Sequence, residues 1–364
     1  MKTVLDIPDI KNKKVLFRAD FDVSVSGRDE VQEKFRIEKQ KRAIDYLTEQ
    51  GAKVVIVAHI SDPDVGSFGE LIPQLHILLK KEIGFIKKIE DIPTYLDNYP
   101  GPGLLENIRL FEGEKENDEE FAKKLSAGFD VYINNAFSVC HRAHASVSAI
   151  TKFLPAYAGS VVEEEIAVLK KAIEAPAKGK IVIIGGAKAE TKAPVIKNFI
   201  NKADIILTGG VVANDILKEK GQGVGSSVVD INSKELLAGL DLNNPKLIVP
   251  EDFVIFDDKI LDIGEKTIKN YKSKISSAKM IIWNGPMGLF ENQTFAVGTD
   301  ELAGAIADSG AYKIIGGGDT ISAVNKAGLL GKFDFVSTGG GAMLLFLAGE
   351  ELPGLKALEY YNHG

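Results

Sequence analysis

A chain of 364 residues, 26% charged and 45% hydrophobic, is long enough for two domains that each bury a core. A net charge of −7 argues against a general nucleic-acid surface, and the single cysteine, Cys140, excludes an internal disulfide and a cysteine-based metal site. The first residues carry no charged-then-apolar signal pattern and no apolar run is long enough to span a bilayer, so a cytoplasmic, enzyme-like chain is the expectation.

In chain order, Lys14–Phe17 and Val54–Ala58 read as buried strands, with a helix over Ile37–Gln50 between them that Gly51 stops. Leu104-Leu105 and Val131–Ile133 are further strands, separated by a helix over Asp118–Leu125. This strand–helix–strand alternation implies a parallel sheet covered by helices. Val161–Ala175 is a helix with Glu163, Glu164 and Glu165 near its start and Lys170 and Lys171 near its end, the charge order that suits the helix dipole. Ala175-Pro176-Ala177-Lys178-Gly179 then breaks it, and the stretch reads as the connection between two α/β domains. The second domain repeats the alternation with strands at Ile181–Ile184, Ile205–Leu207, Leu247–Val249, Met280–Trp283, Lys313–Ile315 and Phe335–Ser337.

Four of these second-half strands run into glycines and then into a helical pattern: at Gly185-Gly186, Gly209-Gly210, Gly316–Gly318 and Gly339–Gly341. Glycine lets a ligand approach the backbone, and a helix start offers free N–H groups and a positive dipole end, a ready phosphate site. Arginines tell the complementary story. Arg18, Arg28, Arg36, Arg42, Arg109 and Arg142 are all of them, and all lie in the first half beside His59, His76, His141 and His144. Arginine forks suit carboxylate and phosphate. The first half therefore reads as the site of a small anion and the second half as that of a nucleotide.

Individual motifs sharpen this division. Gly185–Lys192 places Lys188 and Lys192 four residues apart, on one face if both are helical, as triphosphate oxygens require. It is not a Walker A loop. In Gly316–Thr320, Asp319 could hold a Mg²⁺ that bridges phosphates or could simply cap the helix. Trp283–Glu291 offers an amide, apolar groups and a carboxylate to base, ribose and phosphate, or is an ordinary strand-to-helix loop. His141-Arg142-Ala143-His144 lacks clustered carboxylates or thiols at metal-site spacing, so it reads as a phosphate-facing Arg142 with polar helpers.

Together with Arg18–Phe21, Leu104–Phe111, Asn135–Ser146 and Ser337–Ala342, these segments resemble the phosphoglycerate kinase family over nearly the whole chain, to Leu352-Pro353-Gly354. The resemblance implies two doubly wound, Rossmann-like parallel-sheet domains. These would be residues 1–158 and 178–344, with a hinge helix at 159–177 and a tail, 345–364, returning to the first domain. It implies reversible phosphoryl transfer between ATP and 3-phosphoglycerate, giving ADP and 1,3-bisphosphoglycerate, with Mg²⁺, in a cytoplasmic monomer with no nucleic-acid or membrane partner. Carried over to this sequence, Asp20, Phe21, Asp22, Arg36, His59, Asp62, Arg109 and Arg142 would form the phosphoglycerate side. Gly186, Ala187, Lys188, Lys192, Gly209, Asn284, Pro286, Glu291, Gly317, Gly318, Asp319 and Thr320 would hold the nucleotide. Gly186, Gly209 and Pro286 would border the base, Glu291 the ribose, and Asp319 would face Mg²⁺. Arg36, Lys192 and the helix start at Gly340-Gly341 would meet the phosphoryl group in flight.

The departures from the family pattern gather on the acid side. Asp22 replaces an Asn, and His59-Ile60-Ser61-Asp62-Pro63 replaces His-Leu-Gly-Arg-Pro, which puts Asp62 where an arginine stands. Asn135 replaces an Asp and Met343 a Ser, and the stretch between Pro63 and Leu104 is short. If Asp62 is an unfilled arginine position, the KM for 3-phosphoglycerate is raised and Asp62→Arg partly repairs it; if Asp62 turns to solvent or pairs with a lysine, it does not. A kinase for a different acid and a nucleotide-binding protein with little activity are the alternative readings.

Overall fold

The computed structural model describes residues 1–26, 30–31 and 34–362; Arg28 lies outside them. The chain divides into two compact units, Met1–Ile166 with Glu351–Gly364, and Ala167–Glu350.

The first unit is built on a parallel sheet: β1 (Lys14–Arg18), β2 (Lys53–Val57), β3 (Gly84–Ile86), β4 (Gly103–Leu105), β5 (Val131–Asn134) and β6 (Ala156–Ala158), in the order β3-β4-β2-β1-β5-β6. Its central strands are apolar on both faces, as a sheet covered on both sides requires. Alternation sends Val15, Phe17, Val54, Ile56, Val131 and Ile133 into one core, with Ile37, Ile44 and Leu47 of the helix Lys34–Glu49. Leu16, Val55, Val57 and Tyr132 face a second core with Ile86, Ile92, Leu125 and Ile150. Each such side chain contributes about 1.5–3 kcal/mol on burial. Gly51 follows the first helix with φ +80°, a left-handed turn that glycine takes without strain. The helix Glu119–Ser126 starts from Asp118, whose carboxylate accepts the Phe121 N–H at 2.7 Å.

The second unit carries β7 (Lys180–Ile184), β8 (Ile205–Thr208), β9 (Leu247–Ile248), β10 (Met280–Asn284), β11 (Tyr312–Gly316) and β12 (Phe335–Val336), all parallel, in the order β9-β8-β7-β10-β11-β12. That is the 3-2-1-4-5-6 order of a doubly wound nucleotide fold. All four glycine-marked strands lead into helices: Ala189–Phe199, Gly210–Glu219, Gly318–Lys326 and Gly341–Ala348. The short pair Phe253–Phe256 and Lys259–Ile263 is an antiparallel hairpin, a feature with no turn signature strong enough to read beforehand.

The linking helix spans Ser160–Glu174, and the division between the units falls inside it, after Ile166. The helix Gly341–Ala348 stays with the second unit, where Asn198 Nδ2 donates to the Leu347 carbonyl at 2.6 Å. The returning tail thus begins at Glu351, and Gly354 N donates to the Cys140 carbonyl at 2.8 Å. Among the described residues no helix is long and apolar enough to cross a membrane.

Candidate functional site

In an open parallel sheet the ligand crevice lies beyond the carboxyl ends of the two strands from which the winding runs in opposite directions. In the first unit these are β1 and β5; in the second, β7 and β10.

At the carboxyl end of β1 stand Arg18, its last residue, and Asp20 just beyond it, both fully buried. Arg18 donates through Nε to Ser146 Oγ at 3.0 Å, through Nη1 to the Ala19 carbonyl at 2.6 Å, and through Nη2 to His59 Nδ1 at 3.2 Å. Its charge is answered by Glu114, also fully buried, which accepts Ser146 Oγ at 2.7 Å and Ser146 N at 2.9 Å. Burial pushes the Glu114 carboxyl up, against the pull of Arg18 and Ser146. Asp20 accepts Arg36 Nη1 at 3.3 Å, so the helix Lys34–Glu49 presents Arg36 at the crevice.

His59 lies 1% exposed between Arg18 and Asp22, with Nε2 3.2 Å from Asp22 Oδ2. Burial, aided by the Arg18 and Arg109 charges, outweighs the Asp22 hydrogen bond and lowers His59 to about 4. Burial works to raise Asp22, but the His59 contact and two hydrogen bonds from Ser61 prevail and hold it far below the usual carboxylate range. His144 is also lowered to about 4, by burial and then by Arg109 and Arg142, and His141 is lowered by burial and Arg142. Arg109 is itself depressed to about 10, by burial and then by Arg142. Cations here suppress one another, and several donors lack partners: Arg109 Nε and Nη2 and His141 Nδ1 are buried without a hydrogen bond. An anion bound among them would supply what they lack.

The structure gathers Asp20, Asp22, Arg36, His59 and Arg109 into linked hydrogen bonds, with Arg142 beside His141 at 3.1 Å. Phe21 contributes no polar side chain, its ring being buried edge-on to Phe68. The Asp62 carboxylate bonds to backbone rather than to a lysine: it accepts the N–H of Val25 at 2.9 Å and of Asp64 at 3.0 Å, tying the segment at residue 25 to the loop that follows His59. Asn135 is buried, donating to Gln40 and accepting Val161 N, so an amide with both a donor and an acceptor suits that position.

The second unit's site is built from backbone. Gly186 has φ +72°, Gly210 φ +57° and Gly285 φ +94°. A Cβ on Gly285 would come within 2.0 Å of the Gly185 carbonyl, and one on Gly210 within 2.6 Å of Gly186 N. The three loops therefore touch only because they lack side chains. Above them lies a cavity of about 210 Å³ lined by Gly186, Ala187, Gly210, Val211, Asn214 and Val228, with Leu261, Asp262, Pro286–Glu291 and Asp319. Mostly apolar walls with a few polar groups are what a nucleotide's base and ribose need.

Lys192 stands in the first turn of Ala189–Phe199, 8% exposed, with Nζ on the Ala187 carbonyl. Burial lowers it, opposed by the Asp319 charge. Lys188 is not helical but takes a left-handed conformation, φ 67°, at the N-cap, so the two lysines do not share a helix face. Gly317 occupies the N-cap of Gly318–Lys326, which leaves Asp319 exposed, uncapping and facing the cavity. Thr320 Oγ1 accepts Gly285 N at 2.7 Å and so braces the loop after β10. Asn284 Nδ2 is buried with no partner, close to Gly317, an unfilled donor at a glycine turn. Glu291 is exposed on the cavity rim. Gly209 packs on Met287, and Gly340, φ 47°, is the N-cap of the helix Gly341–Ala348, where buried Met343 fills the space against Gly316. Asp319 is the only carboxylate of the helix start, and among the described residues no three His, Cys, Asp or Glu side chains converge as a metal cage. One carboxylate plus phosphates is how Mg²⁺ is commonly held.

Sequence reasoning missed Ser61, Glu114, Ser146, Asp230 and Asp262. Asp230 accepts the Ala189 N–H at 2.6 Å and so caps the helix that carries Lys192. Asp262, buried at the cavity, accepts Gly298 N at 2.7 Å and is raised to about 6 by burial. Each acts across a large sequence gap, and no local spacing marks it.

A family model described as Phosphoglycerate kinase matches residues 4–350. The chain is 38% identical to the phosphoglycerate kinase of Wolbachia sp. subsp. Drosophila simulans (strain wRi), over 96% of this chain and 97% of that one. It is also 38% identical to that of Dictyoglomus turgidum, over 98% and 99%. Among solved structures, phosphoglycerate kinase from Pyrococcus horikoshii OT3 superposes with a TM-score of 0.87 at 32% identity, covering 99% of this chain and 98% of that one. The Coxiella burnetii phosphoglycerate kinase gives 0.82 at 30% identity, covering 99% of each.

Proposed function

The chain belongs to the phosphoglycerate kinase family, and from that premise we propose how its residues carry reversible phosphoryl transfer between ATP and the carboxyl group of 3-phosphoglycerate. The observation that carries the reading is the cluster of Arg18, Arg109, Arg142 and lowered histidines, whose unpartnered donors call for a phosphorylated acid. Phosphoryl transfer needs positioning and charge stabilisation rather than covalent chemistry from the protein.

In this reading Arg109 and Arg142 hold the phosphoglycerate, and His59, with its ring nitrogens on Arg18 and Asp22, stands behind them. Arg36, braced by Asp20, meets the charge that spreads over the transferring group. Gly186, Gly209 and Pro286 border the base, Glu291 takes the ribose hydroxyls, and Ala187, Lys188, Asn284, Gly317, Gly318 and Thr320 surround the phosphates. Lys192 and the Gly340-Gly341 helix start serve the phosphoryl group. Asp319 would hold Mg²⁺, which supplies charge neutralisation between the nucleotide phosphates. A coupled assay with Mg·ATP and 3-phosphoglycerate tests this. Turnover that requires both supports it; nucleotide binding without transfer to this acid favours a kinase for another acid or a binding protein.

The helix Ser160–Glu174 is read as the hinge through which the two half-sites meet. A smaller radius of gyration by small-angle scattering with both substrates than with either alone is the expected sign. A cytoplasmic monomer completes the reading; sedimentation and cell fractionation check it.

A further inference from the structure

We propose that Asp22 is a positioning residue: together with Ser61 it fixes the Arg109 guanidinium, and through His59 it joins that guanidinium to the buried relay of Arg18, Ser146 and Glu114. The proposal deepens the reading of this cluster as the phosphoglycerate half-site and rests on it.

The direction of each hydrogen bond follows from the groups themselves. A guanidinium has donors and no acceptor, so His59 Nδ1, 3.2 Å from Arg18 Nη2, must be the accepting nitrogen. The ring proton then lies on Nε2 and is donated to Asp22 Oδ2 at 3.2 Å. Ser61 N donates to Asp22 Oδ1 at 2.7 Å, and Ser61 Oγ donates to Oδ2 at 3.3 Å. With its one proton committed to Asp22, the Ser61 hydroxyl offers only lone pairs on its other side, and Arg109 Nη1 donates to them.

Three donors thus converge on residue 22: His59 Nε2–H, Ser61 N–H and Ser61 O–H. An ionised carboxylate accepts all three. An amide would turn its NH₂ against at least one of them. This links two departures in the sequence, Asp22 and Ser61, as one device, because the serine brings the extra donor that the carboxylate satisfies. Both carboxylate oxygens are engaged by these partners and the group's negative charge repels an anion, so it positions Arg109 rather than contacting the acid's phosphate or carboxylate. Arg109 is left with Nε and Nη2 unpaired for an anion.

The test is a double-mutant cycle on 3-phosphoglycerate affinity, measured by calorimetry with Asp22→Asn, Ser61→Ala and the pair. Each single substitution is expected to weaken binding about tenfold and the pair about tenfold as well, because either break severs the same relay. Mg·ADP affinity should stay constant across the four proteins, which checks their folding. Additive losses, near a hundredfold in the pair, or a wild-type affinity in Asp22→Asn, overturn the proposal. If the unaltered protein binds no 3-phosphoglycerate, the functional reading fails, and the positioning claim is decided by proton NMR. The His59 Nε2–H resonance should be downfield in the unaltered protein and should move upfield or vanish into exchange in Asp22→Asn. An unchanged resonance in that variant overturns it.

Discussion

The two proposed half-sites would answer the same need, holding phosphate, with opposite materials. In the first unit Arg18, Arg36, His59 and Arg109 are side chains steered by other side chains, and each depends on a partner such as Ser146, Asp20, Asp22 or Ser61. In the second unit the frame is backbone: Gly186, Gly210 and Gly285 bring three loops into contact that any Cβ would force apart. A backbone site admits little substitution at its glycines. A side-chain site can be rewired, one residue changing if another changes with it, and Asp22 with Ser61 is such a rewiring.

The largest expected effect falls on Arg36, whose proposed role is to meet charge that develops only during transfer. Arg36→Ala should lower kcat by roughly a hundredfold or more while changing substrate affinity far less. Steady-state kinetics with both substrates varied checks this; a near-normal kcat with a raised KM would make Arg36 a binding residue only.

Next comes the backbone frame. Gly210→Ala adds a Cβ 2.6 Å from Gly186 N at φ +57°, a conformation costing on the order of 1–3 kcal/mol in strain. Mg·ADP affinity should fall by about tenfold or more by calorimetry. Gly304→Ala, in the helix Val297–Asp308 and outside the cavity lining, where the added Cβ meets open space, should leave it nearly unchanged. Equal losses at both positions would show that glycine's smallness at the loop contact is not what shapes the site.

The histidines give the first unit a pH signature. His59 and His144 are lowered from 6.5 to about 4, so the unfolded chain binds protons there that the folded chain refuses. Their contribution to stability is complete above pH 6.5 and is lost as pH falls toward 4, on the order of 2–3 kcal/mol for buried His59. Denaturant titrations across that window should show the loss, and inorganic phosphate should lessen it by favouring the charged rings. A flat profile would contradict the lowered histidines.

The smallest effect is at Asp62. Asp62→Arg removes acceptors from Val25 N and Asp64 N, so it should lower stability by about 1–2 kcal/mol. It should leave 3-phosphoglycerate affinity unimproved in the same calorimetry. An affinity gain would mean that the loop readily yields an arginine position.

The sequence disclosed strands, helices and glycine turns because these are local. An apolar run such as Ile181–Ile184, short, β-branched and ended by glycines, reads as a strand buried on both faces, and Gly209-Gly210 before a helical pattern reads as a turn into that helix. Chemistry that depends on pairing across the chain was not legible. Lys188 and Lys192 look like one helix face until the left-handed Lys188 is seen. Asp62 looks like a lost arginine, and only the fold shows its bonds to backbone. Glu114 belongs to no motif, and only the fold shows it fully buried and accepting from Ser146. Asp319 was legible as a residue but not as to its role, and Gly317 at the cap is what frees its carboxylate.

The central claim is that acid and nucleotide bind to separate units, one through side chains and the other through backbone. Hydrogen exchange with each ligand alone tests it directly. Mg·ADP should slow exchange at 185–192, 209–214, 284–291 and 317–320, and 3-phosphoglycerate at 18–22, 59–61, 107–109 and 141–146, each leaving the other set unchanged. Protection of one and the same set by both ligands, or of neither, would contradict it.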